Sequence, residues 1–381
     1  MIKADKIFDG NQFLDAGAVL VLNDQNELKE IFYAPLSDNT NVEYHPGIVC
    51  PGFVNAHCHL ELSHFLGAIP QHSGLPAFAQ KIVQLRAGFQ KEVIREQIQI
   101  WDRHMYQQGI VAVGDICNTD DTFEVKKNSP IFYHSFIELI GLNHDAAESI
   151  FARGILLYEQ LNALGLKGSP APHALYSTSL RLIQLIVEFN NQQQSTTSIH
   201  LDESIEEHKF LDGAPSGFDH LYKHLGIDLS WYQAPKQYGL SLLSGVINHN
   251  KWLTVHNTFS PAESLTVKTA NNAIRCFCPN ANLYIENQLP DFKHLTSAAK
   301  TFCIGTDSLA SNHHLDMVSE MNVLKKYSPF SDEEILRAST ANGALALGLE
   351  QRFGKLIPGK NAGLNQLQLH ANEFKFIKKL A

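Results

Sequence analysis

The sequence predicts an α/β protein: a (β/α)8 barrel of the TIM type, with a small β-sandwich domain built from both termini. Three observations lead there. From Gly47 onward, short apolar strands alternate with long amphipathic segments, the pattern of parallel strands joined by crossover helices. Eight such strands spread over about 300 residues, which suits a closed barrel. The 381 residues also exceed the ~250 of a barrel by enough for a satellite unit.

Taken in order, the first 48 residues carry short strands and turns: residues 18–22 follow Gly17, an Asn23-Asp24-Gln25-Asn26 turn comes next, and residues 29–33 are extended again. Barrel strands are expected at 48–54, 110–115, 131–139, 169–174, 196–201, 252–256, 274–278 and 301–306. Helical stretches fall between them, at 91–108, 145–164 and 180–192, and a last one runs over about 333–348. The tail 354–369 returns to strand texture around a Pro358-Gly359 turn and is expected to rejoin the N-terminal unit. Residues 1–48 and 350–381 then form the small β domain, and 49–349 the barrel. A doubly wound open sheet is the weaker reading, because no Gly-rich phosphate loop follows any strand.

Composition narrows the function. Hydrophobic residues make up 44% and charged residues 18%, an ordinary globular balance. The formal charge is −9 and no Lys/Arg run occurs, so a nucleic-acid groove is not expected. The start lacks the apolar core of a signal peptide, and no apolar run reaches the ~18 residues of a membrane span. The six cysteines lie scattered in apolar segments and read as reduced, buried thiols. A soluble cytoplasmic protein acting on a small molecule is expected, with a homodimer left open. The 19 histidines are the unusual figure and favour metal or proton chemistry. Even so, His104, His220, His224, His249, His294, His313 and His314 sit in polar or helical contexts where surface or loop roles suffice.

The strongest local signal is Pro51-Gly52-Phe53-Val54-Asn55-Ala56-His57-Cys58-His59-Leu60-Glu61. Side chains alternate across a strand, so His57 and His59 share a face and can reach one ion at about 2.0–2.1 Å. Cys58 between them points into the strand–helix packing. A lone His-x-His arises easily by chance. Its weight here comes from His200, His256 and Asp307, which end the fifth, sixth and eighth expected strands. In a barrel the C-terminal strand ends converge on one mouth, where catalytic groups collect. Cys276 and Cys278, i and i+2 on the seventh strand, read as small hydrophobes rather than ligands.

These residues carry a resemblance. The His-x-His segment, His200-Leu201-Asp202-Glu203, Val255-His256-Asn257, Cys278-Pro279-Asn280-Ala281-Asn282 and Gly305-Thr306-Asp307-Ser308-Leu309-Ala310-Ser311-Asn312 resemble the amidohydrolase superfamily. The nearest branch is the chlorohydrolase/aminohydrolase group, with S-adenosylhomocysteine, guanine and aminodeoxyfutalosine deaminases. The likeness spans nearly the whole chain. It implies that His57, His59, His200 and Asp307 hold one divalent metal ion, zinc first and iron second. It further implies that His256 hydrogen-bonds the attacking water or the developing oxygen, that Asp307 takes the proton of that water, and that Glu203 shuttles a proton. His173, in Pro172-His173-Ala174-Leu175-Tyr176-Ser177, would contact substrate. Binuclear relatives carry a bridging lysine at the fourth strand. The nearest lysine here, Lys167, precedes that strand, so one ion is expected.

The implied activity is hydrolytic deamination of an aminated N-heterocycle, adenine-nucleoside-like, with release of ammonia. Another hydrolase of the superfamily, a chlorohydrolase or cyclic amidase, is the alternative. A non-catalytic scaffold would have lost ligands that are all present here. Some residues stay open. Glu203 can instead support a ligand histidine. Glu61 faces the His-x-His side and can touch substrate or form a buried ion pair. Glu138 at the end of the third strand is equally ambiguous, and Asp115 and Asn118 can simply cap a turn.

Overall fold

The chain builds one sheet from its ends and two from its middle. The computed structural model describes residues 1–33, 42–247, 251–261, 273–298 and 301–381, and His249 falls outside them. The described strands are β1 (Ile2–Ile7), β2 (Val19–Leu22), β3 (Leu28–Phe32), β4 (Glu43–Pro51), β5 (Phe53–Cys58), β6 (Ile110–Cys117) and β7 (Phe132–Leu139). They continue with β8 (Lys167–Pro172), β9 (Thr197–Leu201), β10 (Trp252–His256), β11 (Ala273–Phe277), β12 (Phe302–Ile304), β13 (Leu364–His370) and β14 (Glu373–Lys379).

The middle strands form two four-stranded parallel sheets, β5-β6-β7-β8 and β12-β11-β10-β9. Isolated parallel bridges, Ala174 to His200 and Cys58 to Asp307, link one sheet to the other. Helices such as Lys91–Gln107, Ala147–Ala163 and Leu180–Gln193 connect successive strands. The last of these starts at Ser179, whose hydroxyl accepts the Leu182 N–H at 3.3 Å as an N-cap.

The terminal strands make a single six-stranded sheet, β14-β13-β4-β1-β2-β3, where a two-sheet sandwich was expected. The reason lies in β4, which pairs parallel with β1 on one edge and antiparallel with β13 on the other. One central strand thereby joins both ends of the chain. The sheet also shares its core with the middle of the chain: Phe8, Ile48, Leu367 and Phe374 pack in one cluster with Ile98, Met105, Leu324 and Ile335.

Two expected elements divide. The strand at 48–54 is the end of β4 and the start of β5, separated by Gly52. A Cβ at Gly52 would lie 2.4 Å from Val111 Cγ1, so only glycine lets the chain cross there from one sheet to another. The helix over 333–348 is two helices, Asp332–Ala338 and Ala341–Ala346. The Ser339 carbonyl between them accepts the Val54 N–H of β5 at 2.8 Å, which withdraws it from a continuous helix. All six cysteines are free and buried, as expected. Among the described residues no helix is long and apolar enough to cross a membrane.

A buried ion pair sets the turn that follows the His-x-His strand. Asp115, near the end of β6, accepts the Leu60 N–H at 2.7 Å through Oδ1. Its Oδ2 lies 2.6 Å from Lys126 Nζ, and both side chains are fully buried. Burial opposes the lysine's charge, but Asp115 outweighs it and holds Lys126 above the ordinary lysine range. Lys126 also donates to Ser135 Oγ at 2.9 Å. Removing one partner strands the other as an uncompensated charge. Lys126→Met is therefore expected to cost about 3–5 kcal/mol, read as a lower denaturant midpoint. A loss below about 1 kcal/mol would show that the pair does not hold this turn.

Candidate active site and metal centre

Four strand ends deliver the candidate residues to one place. His57 lies in β5 and His59 just beyond it, while His200 belongs to β9, His256 ends β10, and Asp307 follows β12. All are buried. His256, Asn257 and Asp307, together with Asp202 beyond β9, adopt left-handed backbone, with φ of 71°, 54°, 56° and 51°. Asn, Asp and His tolerate this region better than other non-glycine residues. At His256 and Asp307 the conformation turns the chain out of the strand at a residue whose side chain faces the cluster.

The ring nitrogens converge closely. His59 Nε2 lies 3.2 Å from His57 Nε2 and 3.2 Å from His200 Nε2. Asp307 Oδ1 lies 3.5 Å from His57 Nε2 and 3.3 Å from His59 Nε2. Two ligands of a tetrahedral ion at about 2.0–2.1 Å sit about 3.3–3.4 Å apart, so these four donors have the spacing of one coordination shell. A wider grouping places His256 within 4.8 Å of His57, His200 and Asp307. His59, with the shorter contacts to His57, His200 and Asp307, could stand as the fourth donor in place of His256.

Protonation states fit the same conclusion. The His200 Nδ1 position lies 3.0 Å from the His173 carbonyl, so its hydrogen is donated there and Nε2 is left bare. Burial pushes His59 down to about 3 and His200 well below its ordinary value, with neighbouring histidines adding to the latter. His57 is lowered by burial too, against the pull of Asp307. For Asp307, burial opposes charge, yet the His57 hydrogen bond and the nearby His59 and His256 hold its carboxyl well below the usual range. Neutral imidazoles and a carboxylate are the forms that bind a divalent cation. Ring nitrogens facing one another at this distance satisfy one another poorly, whereas a cation among them would satisfy all.

Next to the donors stand Glu203 and His256. Glu203 Oε1 lies 3.6 Å from His256 Nε2. Burial raises the Glu203 carboxyl well above the ordinary range, and the charge of Asp307 raises it further, which favours its protonated form. His256 is lowered by burial, and its Nδ1 is anchored on Asn282 Oδ1 at 2.8 Å, leaving Nε2 toward Glu203. Ser311 Oγ donates to Asp307 Oδ2 at 2.5 Å and fixes that carboxylate from behind.

A cavity of about 190 Å³ opens beside these groups. Its polar wall holds His59, Asn118, Glu138, His173, His200, Glu203, His256 and Asp307, and Phe78, Ala79, Ile82 and Val83 of helix Leu75–Arg86 make an apolar one. His173 therefore lies at the cavity, with Nδ1 held by Ser177 Oγ at 2.6 Å. Glu61 is not among the lining residues. Its carboxylate accepts from Arg86 at 2.8 Å and from the Asn118 N–H at 3.0 Å, the ion-pair arrangement that the sequence left open. Lys167 is the exposed first residue of β8, at the opposite end of the strand from His173. Sequence reasoning assigned no role to Arg86, Ser311 or Asn282. The last two lie inside the motifs that carried the resemblance, whereas Arg86 ends an ordinary amphipathic helix without a local signal.

Comparison with known proteins adds a family and a fold. A profile described as the amidohydrolase family matches residues 48–379. An adenosine deaminase of Helicobacter pylori is 25% identical over 337 residues, covering 84% of this chain and 78% of that protein. The crystal structure of Helicobacter pylori aminofutalosine deaminase in complex with methylthio-coformycin superposes with a TM-score of 0.84 at 21% identity, over 100% of this chain and 99% of that one. An adenosine deaminase from Xanthomonas campestris with bound zinc gives 0.76 at 21% identity, over 97% and 84%. The two structural likenesses establish a shared fold.

The geometry predicts metal content. Purified protein should carry about one equivalent of divalent metal, and His200→Ala or Asp307→Ala should lower it severalfold by elemental analysis. Two tightly held ions, or full occupancy in the Asp307→Ala variant, would contradict the four-donor assignment.

Proposed function

This chain belongs to the amidohydrolase family, and within it we propose a metal-dependent hydrolytic deaminase of an aminated N-heterocycle, adenine-nucleoside-like. The observation that carries this reading is a buried Glu203 placed 3.6 Å from His256 beside four convergent candidate metal donors, with its carboxyl raised by burial. Hydrolysis alone needs the donors; release of an amine also needs an acid for the ring and the leaving group. The adenosine and aminofutalosine deaminases among the relatives support the substrate class. We take the two parallel sheets as one closed (β/α)8 barrel, supported by the bridges at Ala174–His200 and Cys58–Asp307. Residues 1–48 with 350–381 are then the satellite domain to a barrel of 49–349.

His57, His59, His200 and Asp307 would hold the ion, with zinc preferred for a set of three nitrogens and one carboxylate, and iron second. Such a cation supplies the Lewis acidity that makes water nucleophilic near neutral pH. The remaining chemistry belongs to the side chains. Glu203 donates its proton to the ring nitrogen next to the amine-bearing carbon, which makes that carbon electrophilic. His256 Nε2 accepts a hydrogen bond from the attacking water and orients it. As the water oxygen bonds to carbon, Asp307 takes its proton. Glu203, now a carboxylate, collects that proton and delivers it to the amine. The C–N bond breaks and ammonia leaves, and the remaining hydroxyl returns its proton to Glu203 as the carbonyl forms, so the acid is restored and one water is consumed.

The test is ammonia release from purified, metal-replete protein offered adenosine, 5′-methylthioadenosine, S-adenosylhomocysteine and aminodeoxyfutalosine. At least one should be deaminated; ammonia from none of them, nor from guanine or pterins, would move the assignment to another hydrolase. Glu203→Gln keeps the shape but cannot carry the proton, so kcat should fall by ~10²–10⁴ with metal content intact. Loss of metal in that variant would instead place Glu203 in support of a ligand.

A further inference from the structure

Glu138 sits on the cavity wall, one residue before the end of β7, and its two carboxyl oxygens are treated differently. Oε2 accepts from Asn118 Nδ2 at 2.9 Å. Asn118 is fixed in turn, since its backbone N–H goes to Glu61 Oε2 at 3.0 Å and Arg86 holds Glu61 Oε1 at 2.8 Å. Oε1 is buried and has no hydrogen-bond partner. It stands 3.6 Å from His200 Nδ1, but the hydrogen on that nitrogen belongs to the His173 carbonyl at 3.0 Å.

A buried acceptor without a donor costs free energy, and here a relay of three residues holds the carboxyl in place with that oxygen bare. Such an arrangement suits a donor that arrives with a ligand. The donor atoms of Glu138, His173 and His200 lie within 4.8 Å of one another, which could suggest a second metal site. Both nitrogens of His200 are already committed, one to the His173 carbonyl and one to the first cluster, so it cannot serve a second ion. Glu138 and His173 are left as a pair of hydrogen-bonding groups lining the same cavity as the apolar Phe78, Ala79, Ile82 and Val83. On an adenine nucleoside, the donors beyond the base are the sugar hydroxyls.

We propose that Glu138 Oε1 accepts a hydrogen bond from a hydroxyl of the substrate's sugar, and so selects ribosyl over deoxyribosyl substrates. The proposal rests on the deaminase reading. It makes Glu138 a specificity-determining residue, outside the proton path of Glu203.

The test compares ammonia release from adenosine, 2′-deoxyadenosine and 3′-deoxyadenosine by wild-type enzyme and by Glu138→Leu and Glu138→Gln. A site built to hydrogen-bond a hydroxyl rejects the analogue that lacks it, so wild-type kcat/KM should fall at least ~10²-fold for one deoxy analogue. In Glu138→Leu that ratio should collapse to within about threefold, because the acceptor is gone for both substrates. Glu138→Gln keeps a carbonyl acceptor and should lie between the two. Equal kcat/KM for all three nucleosides in the wild type would overturn the proposal without recourse to any variant. So would a Glu138→Leu enzyme that loses activity equally on all three. Ammonia from none of these three nucleosides would overturn this inference, and the deaminase reading would fall with it only if the other aminated heterocycles also released none.

Discussion

The site depends on one seam, where the first strand of the metal cluster meets the last. The His57 carbonyl accepts the N–H groups of Thr306 and Asp307 at 3.0 and 3.1 Å. Beside it, Asn55 and Thr306 bond reciprocally: Asn55 Nδ2 donates to Thr306 Oγ1 at 2.8 Å, and Thr306 N–H to Asn55 Oδ1 at 3.1 Å, across 251 residues of sequence. A Cβ at Gly305 would lie 2.7 Å from both the Cβ and the carbonyl oxygen of His57, so the approach is as close as backbone permits. Through this contact the only carboxylate of the donor set reaches the two histidines of β5. Residues elsewhere at the site take their positions relative to it.

Electrostatics follow from the same closeness. The cluster is buried, which disfavours charge on the histidines and on Asp307 alike, and the His57 hydrogen bond and neighbouring imidazoles more than offset this for the carboxylate. The same burial raises Glu203, where Asp307 adds like charge. Two carboxyl groups in one pocket are thus pushed in opposite directions by their surroundings. The left-handed backbone at His256 and Asp307 stores strain of order 1–3 kcal/mol each, offset by the hydrogen bonds that Asn282 and Ser311 make to those same side chains.

Much of this was legible in the residues. Strand ends that carry a polar residue after an apolar run marked His200, His256 and Asp307, and strand periodicity put His57 and His59 on one face. What escaped was tertiary in origin. Gly52 is unremarkable until Val111 packs against it, so one expected strand proved to be two. The break near Ser339 comes from a distant N–H, that of Val54, and no local helix signal predicts it. The pairing of β4 with both termini decided between one sheet and two, and strand texture alone does not encode pairing. Glu61 had the right spacing for a substrate contact, but its carboxylate is spent on Arg86, 25 residues onward on another element. Glu138 was visible as a strand-end carboxylate, whereas the vacancy at one of its oxygens needed coordinates.

The central claim is that one ion, held by these four donors, is necessary and sufficient for turnover. Titrating metal back into chelated protein, with ammonia release followed at each addition, tests it most directly. Activity should be absent from the chelated protein, rise linearly with added zinc and break to a plateau at one equivalent per chain. A break at two equivalents, or full turnover by the chelated protein, would contradict it.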